Sequence, residues 1–192
     1  MDWITWSRAV ASAIASVPDE VLLGAAGVLR SAGVVLTAGN GGSAAIASHA
    51  AQALLKPSYA PGGGVAAVCL SDCVPALTAH ANDGGWPGAL VECARPFLDA
   101  GASLALLLVS SSGRSENLVR LARLGRERGL PVVALTGFSG EPLRSLATVS
   151  IHVDSDDYEV IEPAHDAVLH RAQYHLRTLS CAERPDAKQA VG

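Results

Sequence analysis

The chain has 192 residues, of which 49% are hydrophobic and 17% charged, with a formal net charge of −4. This length suits one domain with a substantial core, and the weak negative charge excludes a large basic surface for a nucleic-acid backbone. The longest apolar stretches are far shorter than a membrane span, and the N-terminus does not combine a basic region with an apolar one, so we expect a cytoplasmic protein without membrane or direct nucleic-acid partners. The four cysteines lack paired spacing, which favours buried free thiols.

The first third of the chain combines helical periodicity with one strand and one loop signal. Apolar residues at three- and four-residue steps over residues 3–30 predict one or two helices, and Pro18-Asp19-Glu20 divides them because this combination is typical of a helix start. A strand is predicted at residues 34–36 and a helix at about 43–55. Residues 61–64 predict a flexible loop, and residues 65–70 a second buried strand.

The rest of the chain alternates helices and strands. Helices are predicted at residues 74–82, 90–97, 117–128 and 161–181, strands at 102–109, 131–137 and 149–153, and a frayed tail at 183–192. This alternation favours a parallel sheet wrapped by helices on both sides, in a single domain over 1–192 that begins with N-terminal helices at 1–30. Ligands of such sheets bind where loops leave the carboxyl ends of the strands.

A glycine-rich turn, Gly39-Asn40-Gly41-Gly42-Ser43, follows the first strand. Its glycines allow close approach of a ligand or positive φ, and Asn40 and Ser43 can donate hydrogen bonds or cap the following helix. That helix directs the positive end of its dipole at the loop, which favours an anion such as phosphate. A tight turn without a ligand is the alternative interpretation.

A serine-rich loop at residues 110–115 follows the third strand. The hydroxyls of Ser110, Ser111, Ser112 and Ser115, with backbone amides around Gly113, can surround one phosphate without a lysine. A serine cluster alone is more typical of a capped helix start, but two such loops face one crevice if their strands are neighbours. No G-x-x-x-x-G-K-[ST] motif occurs, which excludes a P-loop and favours a phosphosugar.

Motifs spread over nearly the whole chain resemble the sugar isomerase (SIS) domain family, and within it the phosphoheptose (sedoheptulose 7-phosphate) isomerases. They are residues 39–43 followed by His49, residues 81–83, 110–115 and 133–137, and a last helix with His165 and His170 five apart. The resemblance implies an α/β three-layer sandwich whose five-stranded, parallel, flavodoxin-like (SIS) sheet has helices on both faces and an N-terminal helical extension. It also implies a homotetramer with sites between subunits.

The activity implied by the resemblance is aldose–ketose isomerisation of sedoheptulose 7-phosphate, or of a closely related long-chain sugar phosphate, to a heptose 7-phosphate for heptose biosynthesis. Some members carry zinc in the site, so Zn²⁺ is the candidate cofactor. The substrate-binding residues implied by the motifs are Asn40, Gly41, Gly42, Ser43, Asp83, Ser110, Ser111, Ser112 and Ser115.

Isomerisation moves a proton between adjacent carbons through an enediol, which requires a base, an acid and a group that stabilises the enediolate. The helix after the glycine turn offers His49, and the last helix offers Glu162, His165, Asp166 and His170. Glu162 and His170 are a little over two turns apart and share a helix face. By position, His49, Glu162 and His170 match the family's metal ligands and proton-transfer groups, so these three are the predicted catalytic residues and metal ligands.

The sequence departs from the family pattern at one catalytic position. The family has Glu or Asp four residues after the histidine of the first-loop helix, where this chain has Ala53, which transfers no proton. We hypothesise that Glu162 replaces this carboxylate as ligand or base. The alternative function is a catalytically silent SIS tetramer that acts as a protein adaptor or sugar-phosphate sensor. The other histidines are expected at the surface or at interfaces: His80, His152, His165 and His175.

Overall fold

The protein is described by a computed structural model over residues 1–56 and 64–182, with side chains up to residue 179. Most of the loop predicted at 61–64 and the whole tail predicted at 183–192 lie outside the described residues. The helices are α1 (Trp3–Ala15), α2 (Asp19–Ser31), α3 (Gly42–Leu55), α4 (Val74–Gly84), α5 (Trp86–Asp99), α6 (Glu116–Glu127), α7 (Leu143–Leu146) and α8 (Tyr158–Ala182). The strands are β1 (Val34–Gly39), β2 (Ala66–Cys69), β3 (Leu104–Val109), β4 (Val132–Thr136) and β5 (Val149–His152).

The described strands form one parallel sheet in the order β2-β1-β3-β4-β5. β3 lies in the middle, and all six of its residues are buried, as its continuously apolar sequence predicts. Its register sets Val34 opposite Leu104 and Gly39 opposite Val109, so β1 and β3 end at the same level. The α/β fold with helices on both faces of a five-stranded parallel sheet is therefore confirmed.

Two apolar cores lie on opposite faces of this sheet. Alternate residues of each strand point to opposite faces, so Val35 joins the core formed with α1, α2, α3 and α8, while Leu36 joins the core formed with α4, α5, α6 and α7. Both residues are fully buried. The result is three layers, with helices above and below the sheet.

Polar contacts at two places join the N-terminal helices to α8. Pro163 has no N–H, so the carbonyl of Glu159 lacks its intrahelical donor and accepts a hydrogen bond of 3.1 Å from Trp6 Nε1 instead. The Asp19 carboxylate at the start of α2 accepts bonds from Arg171 at 2.8 and 2.9 Å and from His175 at 2.9 Å. The helical pair predicted on either side of Pro18 is thus docked on the last helix.

Several local predictions needed correction. Residues 143–146 form α7 and residues 70–72 a 3-10 helix, neither of which was predicted, and α8 begins three residues before its expected start. The thiols of Cys69 and Cys93 are buried and free as expected, whereas Cys73 is free but exposed.

None of the helices in the described ranges is by itself long and apolar enough to cross a membrane. The α1–α2 pair, bent by 64°, meets that test jointly by length and composition alone.

Candidate active site

The two loops singled out in the sequence lie side by side at the point where the sheet order reverses. β1 pairs with β2 on one side and with β3 on the other, so the loops that follow β1 and β3 leave adjacent strand ends. The first loop leads to α3 on one face of the sheet, and the second leads to α6 on the other. A ligand crevice forms at such a reversal because the two connections diverge.

The glycine turn after β1 leads directly into α3. Gly41 has φ of 55°, a conformation that favours glycine, and α3 begins at Gly42 without a side-chain cap. The capping bond that Asn40 or Ser43 could have made is not formed, and no side chain of the described residues caps the first turn of α3. The Glu162 carboxylate lies against Gly42, in the space that a side chain at position 42 would occupy.

Asn40 connects the two loops instead of capping a helix. Its side-chain amide exchanges two hydrogen bonds of 2.9 Å with Asn117, which is fully buried in the first turn of α6. The Asn117 carbonyl oxygen also accepts a bond from the Leu118 backbone at 3.0 Å. Sequence analysis missed Asn117, although its place just after the serine loop was the signal that could have identified it.

The loops enclose a small polar cavity, which we call the serine pocket. Its volume is ≈ 100 Å³, and it is lined by Asn40, Ser43, Val109, Ser110, Ser111, Ser112, Ser115, Tyr158 and Glu162. The Ser111 hydroxyl is buried and has no hydrogen-bond partner among the described residues. The Ser110 hydroxyl donates a long hydrogen bond of 3.4 Å to the Ser115 hydroxyl, and the Ser112 hydroxyl accepts one of 3.3 Å from the Arg114 backbone amide. An unpartnered buried hydroxyl is costly unless a ligand or water pairs with it.

A larger depression of ≈ 530 Å³ lies at the edge of the sheet, along α3 and β2. Apolar side chains such as Leu55 and Ala67 contribute to its lining, together with Asp72 and Lys56. It is away from the reversal point of the sheet, and neither of the two predicted loops lines it. The serine pocket is therefore the better candidate for the phosphate site.

A cluster of His49, Asp166 and His170 lies where α3 packs against α8. His49 Nδ1 donates a hydrogen bond of 2.8 Å to Asp166 Oδ1, and His170 Nε2 lies 4.0 Å from Asp166 Oδ2. The two imidazole rings meet edge to face with centroids 4.9 Å apart. One potential ligand atom from each residue lies within 4.8 Å of the others.

The three predicted catalytic residues thus lie in two neighbouring places. His49 and His170 are brought together, but the carboxylate between them belongs to Asp166, which the sequence analysis noted without assigning it a role. Glu162 lies in the serine pocket and is absent from the His49–Asp166–His170 group. Asp83 is exposed in the last turn of α4 and does not line that pocket, so its substrate role stays a prediction.

Ala53 is almost fully buried on α3, one turn after His49. It lies beside Leu54, Gln173 and Leu176 at a small internal cavity. Arg30 and Lys56 also line this cavity, and no carboxylate of the described residues does. No acidic side chain there takes the place of the family's Glu or Asp.

The expectation for two other histidines was wrong. His165 is fully buried, and this burial lowers its pKa to about 4, because a buried imidazole loses the hydration of its charged form. Neither ring nitrogen has a hydrogen-bond partner of good geometry in the described part of the chain. His175 is also buried, and it pairs with Asp19. His152 is half-buried, bonds to Thr136 at 3.0 Å, and has its pKa lowered by the same desolvation.

Comparison with known proteins identifies the family. The family model described as "SIS domain" matches residues 9–137, more than half of the chain. The chain belongs to the SIS domain family. The resemblance inferred from the sequence motifs is therefore confirmed, and the matched SIS region contains both loops of the serine pocket and His49.

Two relatives and one solved structure show what the chain is similar to. The chain is 40% identical over 148 residues to the lincomycin biosynthesis protein LmbN of Streptomyces lincolnensis. The matched region is 74% of this chain but only 54% of LmbN, so the chain spans about half the length of that relative. It is 34% identical to the phosphoheptose isomerase of Bradyrhizobium sp. strain ORS 278, over 94% of the chain and 88% of that relative. The phosphoheptose isomerase GmhA of Neisseria gonorrhoeae superposes with a TM-score of 0.78 at 29% identity, covering 89% of this chain and 92% of GmhA.

Proposed function

We propose that this SIS protein isomerises a long-chain sugar phosphate between ketose and aldose forms, with sedoheptulose 7-phosphate as the first substrate to test. The observation that carries the proposal is the serine pocket, where the buried Ser111 hydroxyl lacks a partner that a phosphate oxygen would supply. The His49–His170 pair on the adjacent helices supports it, as do full-length relatives named phosphoheptose isomerase.

The chemistry assigns separate tasks to the two parts of the site. The hydroxyls of Ser110, Ser111 and Ser115, with the N-terminus of α3, hold the phosphate and fix the position of the sugar. Glu162 at the pocket wall, with His49 and His170 beyond it, moves a proton from C1 to C2 and another between the two oxygens through the enediol. The same atoms are present before and after the reaction, so no external oxidant or reductant is required.

The residues present fit a zinc ion, which the resemblance suggests as cofactor. Imidazole nitrogens and a carboxylate oxygen are usual ligands of catalytic zinc, and His49 and His170 would hold the ion. As ligands they would leave the proton transfer to Glu162, because a coordinated imidazole nitrogen has no free lone pair. When bound, zinc polarises the sugar carbonyl and stabilises negative charge on the enediolate oxygens. Glu162 was predicted as the third ligand, and its position beside Gly42 supports a role toward the substrate instead.

We further propose that the enzyme works in the cytoplasm as a homotetramer in heptose biosynthesis. The exposed Trp3 and Ile4 on α1 are apolar surface that a second copy of the chain could cover. In such an assembly, the exposed Asp83 of one subunit would contact the substrate bound in the serine pocket of its neighbour.

A second candidate function follows from Ala53. Since the family's carboxylate position is a buried alanine, a SIS tetramer that binds a sugar phosphate without turnover, or that acts as a protein adaptor, is the competing proposal. Retention of the polar residues in the serine pocket favours a sugar phosphate over an adaptor role, because an adaptor has no use for an unpartnered buried hydroxyl.

Incubation of the full chain with sedoheptulose 7-phosphate in D₂O, with and without Zn²⁺, tests the proposal. We expect an aldose product carrying deuterium at C2, seen by NMR. His170→Asn should lower kcat/KM by about 100-fold or more, the usual contribution of a general acid–base, whereas the matched variant His80→Asn on α4 should keep activity. Binding of the sugar phosphate in calorimetry without formation of a product would support the sensor. The absence of both binding and product would support the adaptor.

A further inference from the structure

We propose that Asp166 is the carboxylate ligand of a divalent metal site completed by His49 and His170, and that it replaces the carboxylate missing at Ala53. The inference rests on the proposed function for its catalytic meaning, because it concerns the same site. It assigns the ligand to a residue different from Glu162, which the sequence suggested. In this chain the carboxylate ligand would therefore come from α8, whereas the family pattern places it on α3.

The spacing on α8 puts three polar groups on one helix face. Glu162, Asp166 and His170 follow one another at four-residue steps, so each lies about one turn from the next. Glu162 is next to Gly42 at the beginning of α3, and Asp166 is next to His49, which lies nearly two turns further along α3. The two helices therefore bring Asp166 to His49 and leave Glu162 near the phosphate.

The distances suit metal coordination after a small adjustment of the side chains. Tetrahedral zinc with bonds of about 2.0–2.1 Å places its ligand atoms roughly 3.3 Å apart. Asp166 Oδ1 lies 2.8 Å from His49 Nδ1, and Asp166 Oδ2 lies 4.0 Å from His170 Nε2. The two distances end on different oxygens of Asp166 and lie on either side of the ideal separation. Rotation of the carboxylate and of the His170 ring would set one oxygen at that separation from both nitrogens.

Exposure of the cluster allows an ion to enter and to keep a free position. The side chains of His49, Asp166 and His170 are 39%, 43% and 55% exposed. Two histidines and one carboxylate are a ligand set of catalytic zinc sites, in which a fourth position remains for water or substrate. Position 53 cannot supply that carboxylate, because Ala53 has no ligand atom and is buried.

A metal-binding measurement tests the proposal independently of activity, with the 192-residue chain first stripped of metal by a chelator. In calorimetric titrations with Zn²⁺, we expect Asp166→Asn to weaken binding by at least 10-fold, since an amide oxygen is a poor substitute for a carboxylate. Glu162→Gln and the control Asp99→Asn, an exposed carboxylate at the end of α5, should bind zinc like the parent protein. Equal affinity of Asp166→Asn and the parent, or loss of binding in Glu162→Gln alone, would overturn the assignment.

A second variant provides a direct spectroscopic test of coordination. Asp166→Cys loaded with Co²⁺ should show a sulfur-to-cobalt charge-transfer band in the near ultraviolet, because a thiolate at position 166 would bind the ion. The parent protein, which has Cys73 exposed, is the control and should lack the band. A variant that binds Co²⁺ without this band would show that residue 166 only orients His49, and the proposal would be wrong.

The two proposals fail in different ways. Zinc binding that depends on Asp166 in a protein without isomerase activity would leave the metal site in place and refute the proposed function. If instead the parent protein is an isomerase and Asp166→Asn binds zinc as tightly as the parent does, the proposed function stands and the Asp166 metal site is refuted.

Discussion

At the scale of single residues, Ser111 is the most informative side chain of the serine pocket. Its hydroxyl is buried at the pocket wall without a partner among the described residues, so the folded protein gains no hydrogen bond from it. A buried hydroxyl without a partner destabilises the protein without ligand, and this cost is removed when a ligand oxygen accepts its hydrogen bond. Stability and ligand affinity should therefore respond in opposite directions when this atom is removed.

We predict that Ser111→Ala leaves the free energy of unfolding equal to or higher than that of the parent protein while weakening sugar-phosphate binding. A hydrogen bond to a charged phosphate contributes about 1.5–3 kcal/mol, which corresponds to roughly a 10- to 100-fold increase in Kd. Urea denaturation measures the first quantity and calorimetry with sedoheptulose 7-phosphate the second. Ser145→Ala, an exposed serine on α7, is the matched control and should change neither.

A Ser111→Ala protein that binds the sugar phosphate as tightly as the parent would contradict the phosphate assignment. The reverse pattern, a loss of stability with unchanged affinity, would show that the hydroxyl has a structural partner and that the pocket serves a different ligand.

At the scale of elements, a polar contact between α2 and α8 helps to hold the N-terminal helices on the last helix. The Asp19 carboxylate accepts three hydrogen bonds from Arg171 and His175, and the bonds from Arg171 hold the pKa of this carboxyl well below its usual range. A carboxyl whose pKa is lower in the folded state stabilises the fold above its unfolded pKa, about 3.9, and loses that contribution as the pH falls toward its folded pKa.

We predict that Asp19→Asn lowers the Tm by a few degrees at pH 7 and that this difference from the parent narrows steadily below about pH 4. Because Asp19 is more than half exposed, solvent screening keeps the effect modest. Thermal unfolding of both proteins between pH 7 and pH 3 measures the difference. Asp99→Asn, which removes an exposed carboxylate from α5, should show no such trend, and a constant difference at all pH values would contradict the assigned cause.

At the scale of the whole molecule, local sequence signals accounted for the fold. β3 is recognisable because a continuously apolar run followed by small polar residues is typical of a buried parallel strand, and the Pro18 signal divided α1 from α2 correctly. The start of α8 was placed too late because Pro163 marks the first turn of many helices, whereas here it lies in the second turn and leaves the Glu159 carbonyl to Trp6.

The site was less accessible from sequence because it depends on the packing of α3 against α8. Spacing along α8 put Glu162 and His170 on one face, and by the same rule Asp166 between them, but no local signal specifies which of these residues faces His49. The pairing of Asn40 with Asn117 is likewise a contact across 77 positions. Distances of this kind are set by how two helices and a sheet pack together, so only the folded chain reveals them.

The serine pocket joins loops that follow the two central strands β1 and β3 and lead to helices on opposite faces of the sheet. A ligand held by both loops would bind only the assembled fold, so its binding free energy adds to the stability of the whole protein.

We predict that sedoheptulose 7-phosphate at 100 times its Kd raises the free energy of unfolding by about 2.7 kcal/mol, or the Tm by roughly 5–10 °C for a domain of this size. Differential scanning fluorimetry measures this shift. Ser111→Ala at the same ligand concentration should show a smaller shift, whereas His170→Asn should keep it, since His170 does not line the phosphate pocket. Loss of the shift in His170→Asn with full retention in Ser111→Ala would move the ligand to the histidine cluster and contradict the arrangement proposed for the site.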